Sequence, residues 1–271
     1  MPELPEVETT CRGIAPNITG QRITRAVVRN RRLRYPIPSN FAAAVTGKRI
    51  HNVGRRGKYL MLACGAGTII IHLGMSGNLR LVPGGRRPQK HDHVDLCLSN
   101  GLALRFRDPR RFGLMVWTTE DPLLHPLLKD LGPEPLNAAF NGAYLVRRAR
   151  GRTVSVKQFI MDAQVVVGVG NIYANEALFI AGVHPRRAAG KVTAAEYGAI
   201  AKAIKSVLRK AITAGGTTLR DFVDEQGRSG YFYQKLQVYE RAGQPCRRCS
   251  RRIETIRLGQ RSTYFCPHCQ T

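Results

Sequence analysis

Four of the seven cysteines crowd into the C-terminal end of the chain, as "CRRC" at 246–249 and "CPHC" at 266–269. Two C-x2-C pairs separated by sixteen residues have the spacing of a four-thiolate structural zinc site. Such a site closes a small ribbon that has little apolar core of its own. Disulfide pairing is the competing use of these residues, and the absence of a secretory signal ahead of the acidic opening disfavours it. Cys246, Cys249, Cys266 and Cys269 are therefore expected to hold one zinc ion. His268 lies inside the second knuckle, but a fourth cysteine makes it unnecessary as a ligand. Cys11, Cys64 and Cys97 sit in apolar or mixed contexts and read as buried thiols.

The charge balance points to the partner. Forty-three Lys plus Arg oppose eighteen Asp plus Glu, a net charge of +25 with a pI near 10.7. That excess calls for a polyanion and for electrostatically steered association. An anionic membrane would meet the same requirement, yet no long apolar run or basic amphipathic anchor is present. Nucleic acid is the better match, and the protein is expected to be cytoplasmic and nucleoid-associated. Residues 241–271 alone carry seven arginines against one glutamate, a density suited to phosphate contact. At 271 residues the chain can bury two or three small cores.

Residues 20–118 read mostly as strands. "RITRAVVR", "KYLMLA", "TIIIHL", "HVDLCL", "LALRFR" and "LMVW" are short, β-branched or alternating, and separated by turns. "SNG" at 99–101 predicts a tight hairpin between two of them. This pattern predicts an antiparallel β-sandwich, flanked by a helix on which Val7, Cys11 and Ile14 recur. "DLGPEPLN" at 130–137 marks a linker. Beyond it the period becomes helical. Thr193 and Glu196 form a capping box, and Tyr197, Ile200, Ile204, Val207, Leu208 and Ile212 line one apolar stripe. Gly215-Gly216 stop that helix. Shorter helices are predicted near 138–149, 155–162 and 171–181, with glycine-rich "VVVGVGN" between the last two.

Several short stretches carry chemistry. The opening "MPELPEVETT" fits a frayed start before a helix whose first turn tolerates Pro5, with Glu6 and Glu8 near the positive end of the dipole. That reading leaves Pro2 and Glu3 unexplained. Methionine ahead of a small residue is normally removed, which would leave Pro2 a secondary amine, a class that titrates near about 7.7–8.0 and is nucleophilic near neutral pH. Both readings are open on the residues alone. "GVGN" before a helix presents backbone N–H groups to an anion, or Asn171 simply caps that helix. "DPRRFG" at 108–113 offers two guanidinium groups beside Phe112, which either wedges into an opened base stack or packs in the core. "HLGMSG" at 72–77 is a tight, glycine-flanked loop carrying Met75.

Taken in order, "MPELPEVET", "GRRGKYL", "HLGMSGNLR", "HDHVDL", "DPRRFG", "GPEPL", "VGVGNIYANEALF", "GGTTLRDF" and the paired C-x2-C knuckles span nearly the whole chain. Together they closely resemble the bacterial formamidopyrimidine-DNA glycosylase family, which excises oxidised purines such as 8-oxoguanine. The paralogous endonuclease VIII shares the N-terminal proline and the ribbon, but usually has glycine where this chain has Leu4. The resemblance implies an α+β multidomain chain. A catalytic β-sandwich with a flanking helix would cover 1–132, a helix–two-turn–helix DNA-binding domain 133–236, and a zinc ribbon 237–271.

The same resemblance implies the roles of individual residues. Pro2 would attack C1′ of the damaged nucleotide, with Glu3 as acid/base, and β- and δ-elimination would cut the strand on both sides of the lost sugar. Glu6 would help position the amine or serve as a first-turn carboxylate. Lys58 would assist elimination, and Arg261 and Asn171 would hold the phosphate region flanking the lesion. His91, Arg110, Arg152 and Lys157 would contact DNA. Met75, Arg110 and Phe112 would fill the space left by the flipped base, and residues 220–235, with Gly227 and Gly230, would cover that base. The expected partner is double-stranded DNA containing an oxidised base, bound by a monomer with no organic cofactor. Two rival readings are a non-catalytic DNA-binding protein and an endonuclease VIII-like enzyme for oxidised pyrimidines.

Overall fold

Helix α1 (Leu4–Ile18) forms where Val7, Cys11, Ile14 and Ile18 recur at helical spacing, and its buried face is built on these four. The structure is a computed structural model that describes residues 2–216 and 232–271. Eight strands follow α1: β1 (Ile23–Val28), β2 (Ile50–Arg56), β3 (Tyr59–Cys64), β4 (Gly67–His72), β5 (Asn78–Pro83), β6 (Asp92–Leu98), β7 (Leu102–Arg107) and β8 (Leu114–Thr118). The short helix α2 (Phe41–Val45) lies between β1 and β2. The strands make two four-stranded antiparallel sheets, ordered β1-β6-β7-β5 and β2-β3-β4-β8. Alternation along β3 turns Leu60, Leu62 and Cys64 inward, where they join Ile69, Ile71, Leu96, Leu104 and Phe106 and the buried face of α1 in one core. Serine, asparagine and Gly101 connect β6 to β7 as expected, with Gly101 at φ +80°.

Two strands went unpredicted. "HNVGRR" and "NLRLVP" mix glycine, proline and arginine among few β-branched residues, so their local signal is weak. Both are edge strands, each paired on one side only, where charge and a terminal proline are tolerated. Cys97 also departs from expectation, since it is half-buried rather than buried.

The second half of the chain contains α3 (Gly142–Ala149), α4 (Val156–Met161), α5 (Asn171–Ala181) and α6 (Ala194–Thr213), then the hairpin β9 (Glu254–Leu258) and β10 (Arg261–Phe265). Helix α3 starts later than 138 because Asn141 caps it, its side chain accepting from the Tyr144 N–H at 2.9 Å. Thr193 and Glu196 make the reciprocal bonds of the capping box, and Gly215 and Gly216 end the α6 region with positive φ. Of the predicted stripe only Ile212 falls short, being half-buried. Two compact units result. One holds residues up to Asp130 and, among the described residues, 214–216; the other holds Leu131–Thr213 and Phe232–Thr271. Helices and ribbon thus share a unit. No helix among the described residues is long and apolar enough to cross a membrane.

Candidate active site and nucleic-acid interface

The first unit places Pro2 at the buried entrance to α1. Glu3 is the N-cap residue, in extended conformation, and exchanges bonds with Glu6 three residues on. Its N–H donates to Glu6 Oε2 at 2.8 Å, while its own carboxylate accepts from the Glu6 backbone. The two carboxyl groups are 3% and 2% exposed. Gly216 lies against this cap: a Cβ there would sit 3.2 Å from Glu6 Oε1, and its φ of +84° suits glycine. The structural and chemical readings of the opening therefore coexist. A capping box fixes the carboxylates of Glu3 and Glu6 at the turn that follows Pro2, at the positive end of a fifteen-residue helix.

Lys58 occupies the tight turn between β2 and β3, half-buried, next to Gly57 at φ +59°. Its neighbour Tyr59 pairs across the sheet with His72, ring centroids 4.8 Å apart. Burial pushes the His72 imidazole down to about 4, and the nearby charges of Lys58 and Arg34 push the same way. The ring is therefore neutral at physiological pH. Its Nδ1 accepts the Gly74 N–H at 2.9 Å, which pins the loop bearing Met75.

Asp108, fully buried, organises the remaining loops of this unit. Its Oδ1 accepts from Ser76 Oγ at 3.0 Å and from the Arg110 N–H at 3.3 Å, and its Oδ2 accepts from the Gly113 N–H at 2.8 Å. Its own N–H donates to the His91 carbonyl, and its carbonyl accepts from His93 Nε2. One residue, through its side chain and its backbone, thus ties together the segments that carry Met75, His91, Arg110 and Phe112. The approach is close. A Cβ on Gly74 would lie 2.4 Å from the Phe112 carbonyl carbon. Met75 and Phe112 are left 39% and 42% exposed, and the Arg110 guanidinium stacks 4.9 Å from the centre of the Phe112 ring. Phe112 is not a core residue.

In the second unit, Gly170 rather than Asn171 is the N-cap of α5, so the capping reading of Asn171 does not hold. Asn171 is the first helical residue. Its Nδ2 donates to the Ser262 carbonyl at 3.1 Å, and its buried Oδ1 has no partner among the described residues. Ser262 directly follows Arg261, whose exposed side chain stands beside the two-residue turn Gly259-Gln260, both at positive φ. Arg152 is also exposed, its backbone held by Ala149 and Gly190.

Lys157, expected at a DNA contact, lies in the interior of this unit. It is 1% exposed, and its ammonium donates to the Ser262 carbonyl at 3.0 Å and to Thr263 Oγ1 at 2.7 Å. A buried cation so engaged fastens α4 to β10. Two further residues escaped the sequence reading. Asn175 accepts the Tyr264 N–H at 2.8 Å and donates to the Asn171 carbonyl at 2.6 Å. Glu176 accepts three consecutive backbone N–H groups, from Gln237, Val238 and Tyr239. Their signal was the unusual "NE" pair inside the otherwise apolar "IYANEALF".

The four knuckle sulfurs lie within 4.8 Å of one another. Cys246 and Cys269 are 3.9 Å apart, and Cys249 and Cys266 3.4 Å. A tetrahedron of thiolates around zinc, at about 2.3 Å per bond, has edges of roughly 3.8 Å. The donor set and spacing fit zinc, and the sulfurs are too far apart for disulfides.

Comparison with known proteins assigns this arrangement. Residues 1–115 match the model of the formamidopyrimidine-DNA glycosylase N-terminal domain, and 131–223 that of the formamidopyrimidine-DNA glycosylase H2TH domain. Residues 243–271 match a zinc finger found in FPG and IleRS. The formamidopyrimidine-DNA glycosylase of Methylococcus capsulatus is 59% identical over 270 residues, covering 100% of both chains. The chain belongs to the formamidopyrimidine-DNA glycosylase family. Among solved structures of FPG proteins, a Lactococcus lactis mutant in complex with Fapy-dG containing DNA superposes with a TM-score of 0.93 at 33% identity, covering 100% of both chains. The protein from Thermus thermophilus gives 0.89 at 38% identity, covering 99% of this chain and 98% of that one. The glycosylase zinc-finger match falls on the four-cysteine cluster, which holds one structural zinc ion.

Proposed function

We propose that this member of the family removes oxidised purines from duplex DNA in base-excision repair and cleaves the resulting abasic site, with the Pro2 amine as nucleophile. The observation that carries the reading is the pairing of Pro2 with the locked Glu3–Glu6 cap at the head of α1. Removal of Met1 frees the secondary amine. An α-amino group ordinarily titrates at about 7.7–8.0, so a share of it carries a free lone pair near neutral pH. That nitrogen bonds to C1′ as the glycosidic bond breaks and the base leaves. Glu3 delivers a proton to the ring oxygen, the sugar opens, and the amine becomes an iminium. The iminium acidifies the C2′ proton. Its loss expels the 3′ phosphate, loss of a second proton from C4′ expels the 5′ phosphate, and water releases Pro2.

The remaining assignments follow the same reading. Lys58, beside a neutral His72, supplies positive charge for elimination. Asn171 and Arg261 hold the phosphates next to the lesion, with His91 and Arg152 contacting the backbone. Met75, Arg110 and Phe112 occupy the space vacated by the flipped base. The covering loop assigned to 220–235 lies outside the described residues except for its end. Zinc closes the ribbon and takes no part in the reaction. The protein acts as a monomer in the cytoplasm, associated with the nucleoid.

Borohydride trapping tests the nucleophile. Incubation with an 8-oxoguanine duplex and borohydride should give a covalent complex whose DNA maps to residue 2. Retention of Met1 should abolish trapping, because the Pro2 nitrogen is then an amide. A cross-link on Lys58 with Pro2 unmodified overturns the assignment, and no cross-link with no incision of an abasic site returns the protein to the non-catalytic class.

A further inference from the structure

The second unit holds another concentration of positive charge, away from the start of α5. A cavity of about 440 Å³ opens beside the far end of that helix, at Ile180. Nine residues separate Ile180 from Asn171, roughly 13 Å along the helix axis. Lys210 in the last turn of α6, Lys235, and the knuckle residues Arg247 and Arg248 bring four cations to its walls. Ile180 and Val207 supply an apolar side. The one lining carboxylate, Glu176, has both oxygens engaged by backbone N–H groups.

The cations differ in what else occupies them. Arg248 is preset, its guanidinium 4.3 Å from the Phe179 ring centre and donating to the Phe179 carbonyl at 3.1 Å, which leaves most of its N–H groups for another acceptor. Arg247 and Arg248 flank zinc thiolates, so part of their charge offsets that anionic cluster. Lys210 and Lys235 have no such counterpart, and neither forms an ion pair among the described residues. Holding four cations around one cavity that has, among the described residues, a single lining carboxylate is electrostatically unfavourable, and a multiply charged oxyanion relieves it. Cavities of about 300–1,000 Å³ suit small ligands. Ammonium groups beside a guanidinium fork are the usual donors to phosphoryl oxygens.

We propose that this cavity is a phosphoryl-binding site, separate from the Asn171–Arg261 pair. Its ligand is either the polyphosphate of a nucleotide, with the nucleoside against Ile180 and Val207, or the backbone of a second DNA segment. The proposal does not rest on the catalytic reading. Calorimetric titration of the zinc-loaded full chain with sodium pyrophosphate and with ADP tests it, comparing wild type with Lys210→Gln/Lys235→Gln. The paired substitution should weaken pyrophosphate binding at least tenfold with zinc content unchanged, whereas Arg261→Ala should retain the binding. Lys235→Gln alone, at an exposed position, should shift affinity in the same direction and covers loss of structure in the double variant. Binding of undamaged duplex across a salt series identifies the source. A fall of about two in the log–log salt slope of the double variant indicates DNA phosphates, and an unchanged slope indicates a free anion. Equal pyrophosphate affinity in both proteins overturns the proposal. So does an absence of pyrophosphate binding together with an unchanged salt slope.

Discussion

Phe112 is 42% exposed, with the Arg110 guanidinium stacked across its face. Leaving such a ring exposed forgoes about 2 kcal/mol of burial, so fold stability does not account for its placement. Asp108 does account for its position, by anchoring the turn from both ends, and the turn is assembled around that one buried carboxylate. Phe112→Ala should therefore leave the thermal midpoint within a degree or two of wild type. Excision of 8-oxoguanine from duplex should fall at least tenfold, while incision of a preformed abasic site stays near normal. Equal loss on both substrates, or a core-sized destabilisation of about 3 kcal/mol or more, would return the ring to a structural role. The motif "DPRRFG" was legible as a loop with two arginines beside an aromatic ring. That its aspartate also binds the Met75 and His91 segments was not, because Ser76 lies 32 positions away.

Helix α6 is the element most completely written in its own residues. Its start rests on Thr193 and Glu196, and Glu196 also pairs with Arg187. The Arg187 bond, aided by the Thr193 N–H and hydroxyl, holds the Glu196 carboxyl down to about 2 from an ordinary 4.5. A depressed folded-state value stabilises the fold above about 4.5, and that contribution is lost as the pH falls towards 2. Glu196→Gln keeps an acceptor oxygen for the capping box and removes only the charge facing Arg187, so it should cost below about 1 kcal/mol at neutral pH. The gap between variant and wild-type midpoints should close as unfolding is followed from pH 5 to pH 2. A gap that persists at pH 2 would rule out the carboxylate as its source. By contrast β2 and β5 took their form from β3 and β7, since an edge strand needs a partner more than a pattern.

At the scale of the molecule, the ribbon is part of the helical unit. Phe179, Val238, Cys246, Ile253 and Cys266 share one small core, and Lys157, Asn175 and Glu176 tie β10 and residues 237–239 to α4 and α5. Loss of zinc should consequently spread. Cys249→Ser should release the metal, weaken duplex binding and reduce its salt dependence as arginines leave the interface. Hydrogen exchange should quicken in β9, β10 and the far half of α5, yet stay slow in β3, β4 and β7, whose core is separate. Unchanged duplex affinity and salt slope in the metal-free protein would show that the ribbon does not carry phosphate contacts.

Periodicity, helix caps, the knuckle spacing and the charge excess act over a few residues or over the whole composition, and the sequence by itself determined them. They sufficed for the sandwich, the long helix, the zinc site and a polyanionic partner. The tertiary structure decided which polar side chains face water. Lys157 reads like any lysine on a short helix, yet it is buried against Ser262, 105 positions away. Asn171 reads as a cap, yet Gly170 takes that place and Asn171 reaches Ser262 across 91 positions. Burial and partnership of a polar group depend on which distant backbone arrives beside it, and no local pattern encodes that arrival.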